Sequence, residues 1–214
     1  MWRSYSNYNE FFMYRYIKRL LDIIIVLFAF VLLIPISILV KFGFLCLGDT
    51  GGIFYKQKRV GKDGKPFIIY KYRSMVHNAD ELLDQLLKEE KYKNEWAENQ
   101  KIENDPRITR IGRYLRKSSL DELPQILNVL KGEMSIVGPR PLVEGELEAH
   151  GGSKLYWRVK PGITGWWASH GRSDVDYNER LKMEYFYVRN ISFKMDIICI
   201  YKTIIAVIKH KGVE

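Results

Sequence analysis

Cysteine is rare in this sequence, and its histidines show no metal-binding pattern. The 214 residues include two cysteines and four histidines. Cys46 and Cys199 both lie in apolar runs, which indicates buried thiols in a reducing compartment and not a disulfide framework. None of the histidines has the spacing of zinc ligands, and no internal repeat is visible. These absences argue against a small disulfide-stabilised domain, a zinc module and a repeat protein.

The chain has fewer acidic than basic side chains. Lys and Arg number 34 against 25 Asp and Glu, which gives a formal net charge of +9. Such an excess favours an anionic partner, whether nucleic acid, anionic lipid headgroups or a phosphorylated substrate. The length suits one domain with its own core.

Charge is absent from residues 23–40, a run close to the ~20 residues that span the hydrocarbon core as a helix. Lys and Arg flank both ends of this run, which draws both ends towards the cytoplasm. Pro35 lies inside it, removes a backbone donor and predicts a kink. A helix–break–helix that returns to the same membrane face satisfies both observations. A bitopic helix with a proline kink is the alternative, and local physics leaves the two open.

A β-hairpin is predicted after this apolar run. Residues 53–59 and 66–73 are strand-like and are joined by Gly61-Lys62-Asp63-Gly64, whose Asp-Gly pair is a hairpin signal. The second strand places Lys71 and Arg73 on one side by its two-residue period. Taken alone, that pattern indicates solvated strand charges.

Residues with chemical potential concentrate between residues 117 and 142. The adjacent carboxylates Asp121 and Glu122 precede an apolar, helix-like run, and Gly138-Pro139-Arg140-Pro141 forms a stiff turn after it. A cluster of cations precedes the carboxylates: Arg107, Arg110, Arg113, Arg116 and Lys117. Carboxylates at a helix start, together with a guanidinium on a rigid loop, suit the handling of phosphate and metal.

A purely structural explanation competes for the two carboxylates. Ser119 and Glu122 have the S-x-x-E spacing of a capping box before an apolar run. A cap at Ser119 would put Pro124 in the fifth helical position, although proline prefers the first. Either arrangement places Asp121 and Glu122 near a helix N-terminus. Because sequence neighbours do not face one another on a helix, two distinct roles are favoured over a shared proton.

Several segments, taken in chain order, carry a more specific pattern: IKRLLDI, FYKQKRVGKDGKPFIIYKYRSM, DPRITRIGRYLRKSSLDELPQILNVLKGEMSIVGPRP, KPGITGWW, GRSD and FYVRNIS. They are spread along the chain from residue 17 to residue 192. They resemble the monotopic phosphoglycosyl transferases of bacterial glycan assembly, also called the bacterial sugar transferase family.

This resemblance implies transfer of a sugar 1-phosphate from a UDP-sugar to polyprenyl (undecaprenyl) phosphate, with release of UMP. It implies that Asp121 is the nucleophile of a covalent phosphosugar intermediate. Glu122 would orient groups or assist metal and proton handling, and Mg²⁺ near Asp121 would neutralise the diphosphate. The remaining substrate contacts implied by the resemblance are four basic positions and one further acid: Lys71, Arg116, Arg140, Arg172 and Asp196.

The resemblance also implies an α+β, mostly helical architecture. Residues 1–48 would form a membrane-interface segment and a re-entrant helix–break–helix, and residues 49–214 a catalytic domain with a small β-hairpin and amphipathic interfacial helices. The protein is expected at the cytoplasmic face of the bacterial inner membrane, bound monotopically. Members commonly have Ser-Pro at the break, whereas this chain has Ile34-Pro35, with Ser37 available as a substitute hydroxyl.

The alternative function is a non-catalytic membrane-surface module that binds anionic glycolipid or nucleic acid. Nucleic acid is disfavoured because the basic residues cluster beside membrane-type apolar runs and not among stacking aromatics. The sequence leaves open the polyprenol length, the sugar and the existence of a homodimer. Residues expected near the sugar end of the site are Trp166, Trp167, Ser169, Ser173 and Asp174.

Overall fold

The N-terminal helix α1, Tyr8–Cys46, is the longest element of the structure. A computed structural model describes residues 8–99, 102–171 and 175–209, without the side chains of residues 8–12 and 97–99. Met13–Cys46 is long and apolar enough to cross a membrane, by length and composition, with a mean hydropathy of 3.3 in its most apolar window. Large apolar side chains stay exposed along it, with Phe28 at 75% and Val31 at 72%.

Helix α1 continues through Pro35, so the predicted interruption between two helices is wrong. Pro35 has no N–H to donate to the backbone carbonyl four residues before it, and the Ser37 hydroxyl does not donate to that carbonyl either. Its Oγ instead donates to the Leu33 carbonyl at 2.7 Å and lies 2.6 Å from the Tyr72 hydroxyl. This contact ties α1 to the neighbouring strand beside the proline, and the loss of one N–H does not end the helix.

One stripe of α1 is buried against the rest of the chain. It recurs every four or seven residues, as a single helical face does: Asp22, Val26, Leu33, Val40 and Phe44. The apolar members belong to a core that also holds side chains of the hairpin and of the later helices. The packing along this stripe explains why tertiary contacts keep the helix continuous through Pro35.

The predicted hairpin is confirmed. Strands β1, Phe54–Val60, and β2, Pro66–Tyr72, pair antiparallel, with Phe54 opposite Tyr72 and Val60 opposite Pro66. The turn contains a short 3₁₀ segment, Lys62–Gly64, in which Asp63 and Gly64 have φ of 58° and 74°. Asp and Gly tolerate this left-handed backbone, which is why the local sequence predicts the turn.

The remaining elements confirm a mostly helical α+β chain. The helices are α2 Ala79–Leu86, α3 Glu90–Asn99, α4 Arg110–Lys117, α5 Ile126–Lys131, α6 Glu146–Ala149, α7 Trp166–His170, α8 Tyr177–Arg189 and α9 Phe193–Ile208. Strands β3, Ser135–Val137, and β4, Gly162–Thr164, form a two-stranded parallel sheet. Further 3₁₀ segments cover Leu120–Gln125 and Lys154–Arg158.

Helix α9 has apolar side chains on two faces. Met195 and Cys199 are buried in a second core with Val137 and Tyr187. The opposite face is exposed and also apolar: Ile197, Tyr201, Ile204 and Ile208. An exposed apolar face next to the one on α1 indicates contact with something other than water.

Candidate active site

The adjacent carboxylates lie on the 3₁₀ segment Leu120–Gln125, directly before α5. Ser119, just ahead of them, has a left-handed backbone with φ of 56°, and its side chain makes no capping hydrogen bond. The capping-box explanation of Asp121 and Glu122 is therefore wrong. A non-glycine residue in this conformation is strained, and such strain is concentrated at functional sites.

Strand β2 brings Lys71 to the second carboxylate. Lys71 Nζ lies 2.7 Å from Glu122 Oε1, and both side chains are partly exposed. Burial acts to raise the pKa of Glu122, but the charges of Lys71 and then Arg140 outweigh it and lower that pKa. Glu122 is thus held as a carboxylate at neutral pH.

Asp121 behaves differently from its neighbour. Burial, followed by repulsion from Glu122, raises the pKa of Asp121 from 3.8 to about 6, against the attraction of Lys71 and Arg116. The two carboxyl groups therefore have pKa values displaced in opposite directions, which matches two distinct chemical roles. Asp121 ionises near neutral pH and then carries a poorly solvated negative charge.

Arg116, on α4, flanks the pair. Its Nε donates to Ser74 Oγ at 3.0 Å. Helix α4 is capped by Thr109, whose Oγ1 accepts from the Gly112 amide at 2.9 Å. A Cβ at Gly112 would lie 1.8 Å from the Ser74 carbonyl, so glycine is required where α4 crosses the end of β2. This crossing places Arg116 close enough to lower the pKa of Asp121.

The stiff turn is locked to the segment at residues 160–165 through backbone contacts. The Gly138 amide donates to the Thr164 carbonyl at 2.8 Å, and the Gly162 amide donates to the Pro139 carbonyl at 2.9 Å. A Cβ at Gly162 would lie 2.1 Å from the Gly138 nitrogen, and one at Gly165 would lie 2.1 Å from the Gly138 oxygen. The predicted close approach of glycine backbone is confirmed, and it joins two loops.

The backbone amide and the backbone carbonyl of Arg140 both form hydrogen bonds with buried side chains. Its amide donates to Glu184 Oε1 at 3.0 Å, and its carbonyl accepts from the Tyr156 hydroxyl at 2.8 Å. Its guanidinium lies 5.5 Å from the centre of the Trp167 ring. The guanidinium thus makes a cation–π contact with this aromatic face.

Lys71, Glu122 and Arg140 line one cleft, which encloses about 80 Å³. Arg59, Trp167 and Glu184 line it as well. Arg59 also donates to the Pro141 carbonyl at 3.1 Å and so supports the turn from β1. Asp121 and Arg116 do not line this cavity. Arg116 acts from beside it by lowering the pKa of Asp121. Positively charged side chains dominate the walls of the cleft, and carboxylates line it as well. This combination suits part of a phosphorylated substrate.

The structure places Asp196 apart from the cleft. Both of its oxygens are occupied: Oδ2 accepts from Tyr14 and Lys18, each at 2.7 Å, and Oδ1 accepts from Tyr187 at 2.7 Å. Asp196 thus joins α9 to α1 and α8, and this geometry gives no support to its expected contact with substrate. Arg172, like Ser173 and Asp174, lies outside the described residues.

Two aromatic predictions have different outcomes. Trp167 lines the cleft, whereas Trp166 stacks on His170 at 3.9 Å between ring centres and packs against the second core. Ser169 hydrogen-bonds its neighbour His170 at 2.9 Å. Trp167 therefore borders the cleft, and the ring of Trp166 does not.

Glu184 and Arg180 were missed by sequence reasoning. They are four residues apart on α8, and Glu184 follows the buried residue Leu181 and precedes the buried residue Val188. A carboxylate at helical spacing within an apolar stripe is the signal that identifies a buried polar group, since such stripes face the core.

The carboxylate pair was tested as a metal site. Within the part of the chain that the structure describes, no cluster of three or more His, Cys, Asp or Glu could hold a metal ion. Mg²⁺, however, is commonly held by one or two carboxylates together with substrate phosphates and water. Asp121 and Glu122, beside a basic cleft, fit a Mg²⁺ ion that arrives with a diphosphate. They do not fit a metal bound by protein ligands alone.

A basic cleft built around two carboxylates of opposite pKa displacement defines a site for phosphate chemistry. The family model for "Bacterial sugar transferase" matches residues 13–210. The chain belongs to the bacterial sugar transferase family.

Relatives with known names share much of this sequence. A UDP-galactose-lipid carrier transferase of Erwinia amylovora is 45% identical over 92% of this chain and 42% of its own length. The exopolysaccharide production protein ExoY of Sinorhizobium fredii is 43% identical over 91% of this chain and 87% of its own length. An undecaprenyl-phosphate galactose phosphotransferase of Salmonella typhimurium is 43% identical over 92% of this chain. The chain thus spans less than half the length of the first and third.

Proposed function

We propose that this chain transfers a sugar 1-phosphate from a UDP-sugar to polyprenyl phosphate, which releases UMP and leaves a polyprenyl diphosphate sugar. The observation that carries the proposal is the cleft in which Lys71 and Arg140 meet Glu122, beside the high-pKa carboxyl group of Asp121. Its setting in the bacterial sugar transferase family, with relatives named for undecaprenyl-phosphate and lipid-carrier sugar transfer, supports the same reaction. This would be the first step of glycan, O-antigen or exopolysaccharide assembly.

In the first half-reaction Asp121 is the nucleophile. A carboxylate oxygen of Asp121 forms a bond to the phosphorus that bears the sugar, and the bond from this phosphorus to the bridging oxygen breaks. UMP leaves with that electron pair. Burial makes the Asp121 carboxylate poorly solvated and therefore reactive once it is ionised. Bound Mg²⁺ would neutralise negative charge on the diphosphate.

The second half-reaction restores the free enzyme. A phosphate oxygen of polyprenyl phosphate attacks the same phosphorus, and the bond to Asp121 breaks to return the carboxylate. Lys71 keeps Glu122 ionised and in place, and Lys71 and Arg140 offer positive charge to the transferred phosphoryl oxygens. One phosphorus thus passes from donor to acceptor through one side chain.

A membrane position at the cytoplasmic face supports access to the lipid acceptor. The buried stripe of α1, from Asp22 to Phe44, lies against the rest of the chain along most of the helix. A helix upright across a bilayer would carry these covering polar segments into the hydrocarbon, which is unfavourable. A monotopic placement of α1, together with the exposed apolar face of α9 at the interface, avoids that cost.

Intact-protein mass spectrometry tests the covalent step. The full chain is incubated with UDP-sugars and Mg²⁺ in the absence of polyprenyl phosphate, and the wild type is expected to gain one sugar phosphate on Asp121. Asp121→Asn should gain none, and Asp63→Asn, an exposed control in the hairpin turn, should react as the wild type does. Turnover without any adduct would favour direct transfer. Absence of both, with salt-sensitive binding of anionic lipid that is unchanged in Asp121→Asn, would favour the non-catalytic module.

A further inference from the structure

Unsatisfied polar atoms gather on the α7–α8 side of the cleft. Among the described residues, the buried side-chain atoms without a hydrogen-bond partner are Trp167 Nε1, Arg180 Nε and Nη2, and Glu184 Oε2. Glu184 is 1% exposed. Buried polar groups are nearly always paired, so such a group indicates a ligand or water that would complete it.

These three side chains form one cluster. The Arg180 guanidinium lies 4.8 Å from the centre of the Trp167 ring, and Glu184 is one helical turn further along α8. Trp167 and Glu184 both line the cleft that contains Lys71 and Glu122. Trp167 and Glu184 therefore border the space next to Glu122, whereas Arg180 contacts the Trp167 ring without lining the cleft.

The cluster is fixed by its other contacts. Glu184 Oε1 accepts from the Arg140 amide at 3.0 Å, which leaves Oε2 as the free oxygen. Arg180 Nη2 lies 3.5 Å from Glu146 Oε1, and its guanidinium also faces the Tyr177 ring at 4.8 Å. The free atoms are thus held in position before a ligand binds.

The chemistry of the cluster selects the kind of ligand. Burial raises the pKa of Glu184 to about 7, so near neutral pH its free oxygen accepts a hydrogen bond in one protonation state and donates one in the other. A phosphate oxygen only accepts, and the indole and guanidinium only donate. A hydroxyl group both donates and accepts, so it can satisfy Glu184 and Trp167 together. Uracil also offers both functions, but in a UDP-sugar it is separated from the reacting phosphorus by the ribose and the other phosphate. The sugar is bonded directly to that phosphorus.

We infer that Trp167 and Glu184, with Arg180 packed on the Trp167 ring, form a subsite for the hydroxyl groups of the transferred sugar. The inference rests on the proposed function, because it takes a UDP-sugar as the donor.

Binding of UDP and of UDP-sugars to the full chain tests this subsite. Calorimetry with Mg²⁺ is done on an Asp121→Asn parent, which cannot form the covalent adduct, and compares UDP, UDP-glucose and UDP-galactose on this parent and on its Trp167→Phe and Glu184→Gln derivatives. Trp167→Phe removes the indole N–H, and Glu184→Gln changes the free acceptor while it can still accept from the Arg140 amide. We expect UDP-sugar affinity to fall about tenfold in each variant while UDP affinity stays within about twofold. Trp166→Phe is the matched control and should change neither.

Each other outcome overturns the subsite. Equal weakening of UDP and UDP-sugar would assign the cluster to the nucleotide or its phosphates. Unchanged binding in both variants would assign the free atoms to water. A parent that binds UDP-sugars no better than UDP would also contradict the subsite, yet release of UMP by the wild type in the presence of polyprenyl phosphate would leave the proposed function standing. A parent without binding, together with a wild type without turnover, would refute both.

Discussion

Two lysine–carboxylate pairs of this chain have the same length and different surroundings. Lys71 Nζ lies 2.7 Å from Glu122 Oε1, and Lys18 Nζ lies 2.7 Å from Asp196 Oδ2. The first pair is more exposed, with side chains at 24% and 34%, against 18% and 12% for the second. Both acids stood out in the sequence as members of one site, and the structure separates them.

The difference lies in what else each carboxylate contacts. Asp196 also accepts from Tyr14 and Tyr187, so its oxygens are occupied by protein donors that join three helices. Glu122 lines an open cleft and has a second carboxyl group, Asp121, as its neighbour. A carboxylate whose hydrogen-bonding capacity is filled by protein donors stabilises the fold. A carboxylate with unused hydrogen-bonding capacity that faces a cavity can act on a ligand.

The largest expected effect distinguishes Asp121, the neighbour of Glu122 in the first pair, from Asp196 of the second pair. Asp121→Asn should reduce UMP release by about 10³-fold or more because the nucleophile is lost. Asp196→Asn should keep most of the activity per folded molecule and lower the free energy of unfolding by about 2 kcal/mol, since three donors lose a charged acceptor. Rates and thermal unfolding in the same detergent check both. Comparable loss of rate in the two variants, with folding intact, would end the distinction.

The lysines should divide in the same way, with a smaller effect. Lys71→Met should lower kcat by about 10²-fold, because it removes positive charge from the transferred phosphoryl group and lets the pKa of Glu122 rise. Lys18→Met should chiefly reduce stability, since it leaves Asp196 with one fewer donor. Steady-state kinetics with both substrates and unfolding midpoints measure the two effects. A Lys71 variant with normal kcat would refute its proposed role.

The pH dependence sharpens the contrast within the cleft. In the proposed mechanism only the ionised form of Asp121 attacks. Activity should therefore fall about tenfold per pH unit below about 6, the value to which burial and Glu122 raise the pKa of Asp121. Glu122→Gln removes the repulsion and should move this limb of the pH–rate profile to lower pH, measured on the residual rate. An unmoved limb would mean that another group controls it.

The raised pKa of Asp121 also makes the free energy of unfolding depend on pH. The folded chain binds the Asp121 proton more tightly than the unfolded chain, whose pKa is near the ordinary 3.8. The free energy of unfolding therefore decreases as pH rises through the window from about 4 to about 6. Asp121→Asn should flatten this decrease, which thermal unfolding between pH 4 and 7 would detect.

The smallest expected effect concerns the turn before the carboxylates. Ser119→Gly relieves a left-handed backbone with φ of 56° and should stabilise the fold by about 0.5 kcal/mol, after the greater entropy of glycine in the unfolded chain is subtracted. Ser118→Gly, at the ordinary helical conformation beside it, is the control and should destabilise. Lower stability of the Ser119 variant would show that its side chain contributes more than the strain costs.

Local signals in the sequence predicted those parts of the molecule that local physics determines. The hairpin follows from Asp63-Gly64, and the glycines of the loops at residues 138–165 allow the predicted close backbone contact. The capping box failed because α4 packs against the end of β2 and forces Ser119 into a left-handed turn. The break at Pro35 failed because side-chain packing holds α1 together along one face.

Whether a predicted residue belongs to the site depends on contacts with residues that are distant in the sequence. Three of the residues that the motifs predicted, Lys71, Glu122 and Arg140, converge on one cleft. The environment of Asp196 depends on a tyrosine 182 positions earlier in the chain. No periodicity or spacing conveys such a contact.

The buried stripe of α1 has a consequence for the order in which the molecule is made. Helix α1 leaves the ribosome before the hairpin and α5, yet Val26, Leu33 and Phe44 belong to the core that those later segments complete. We expect the emerging helix to reach the membrane first and the later segments to fold onto it there. Folding and delivery to the lipid would then be one event, and no competent enzyme would exist away from its acceptor.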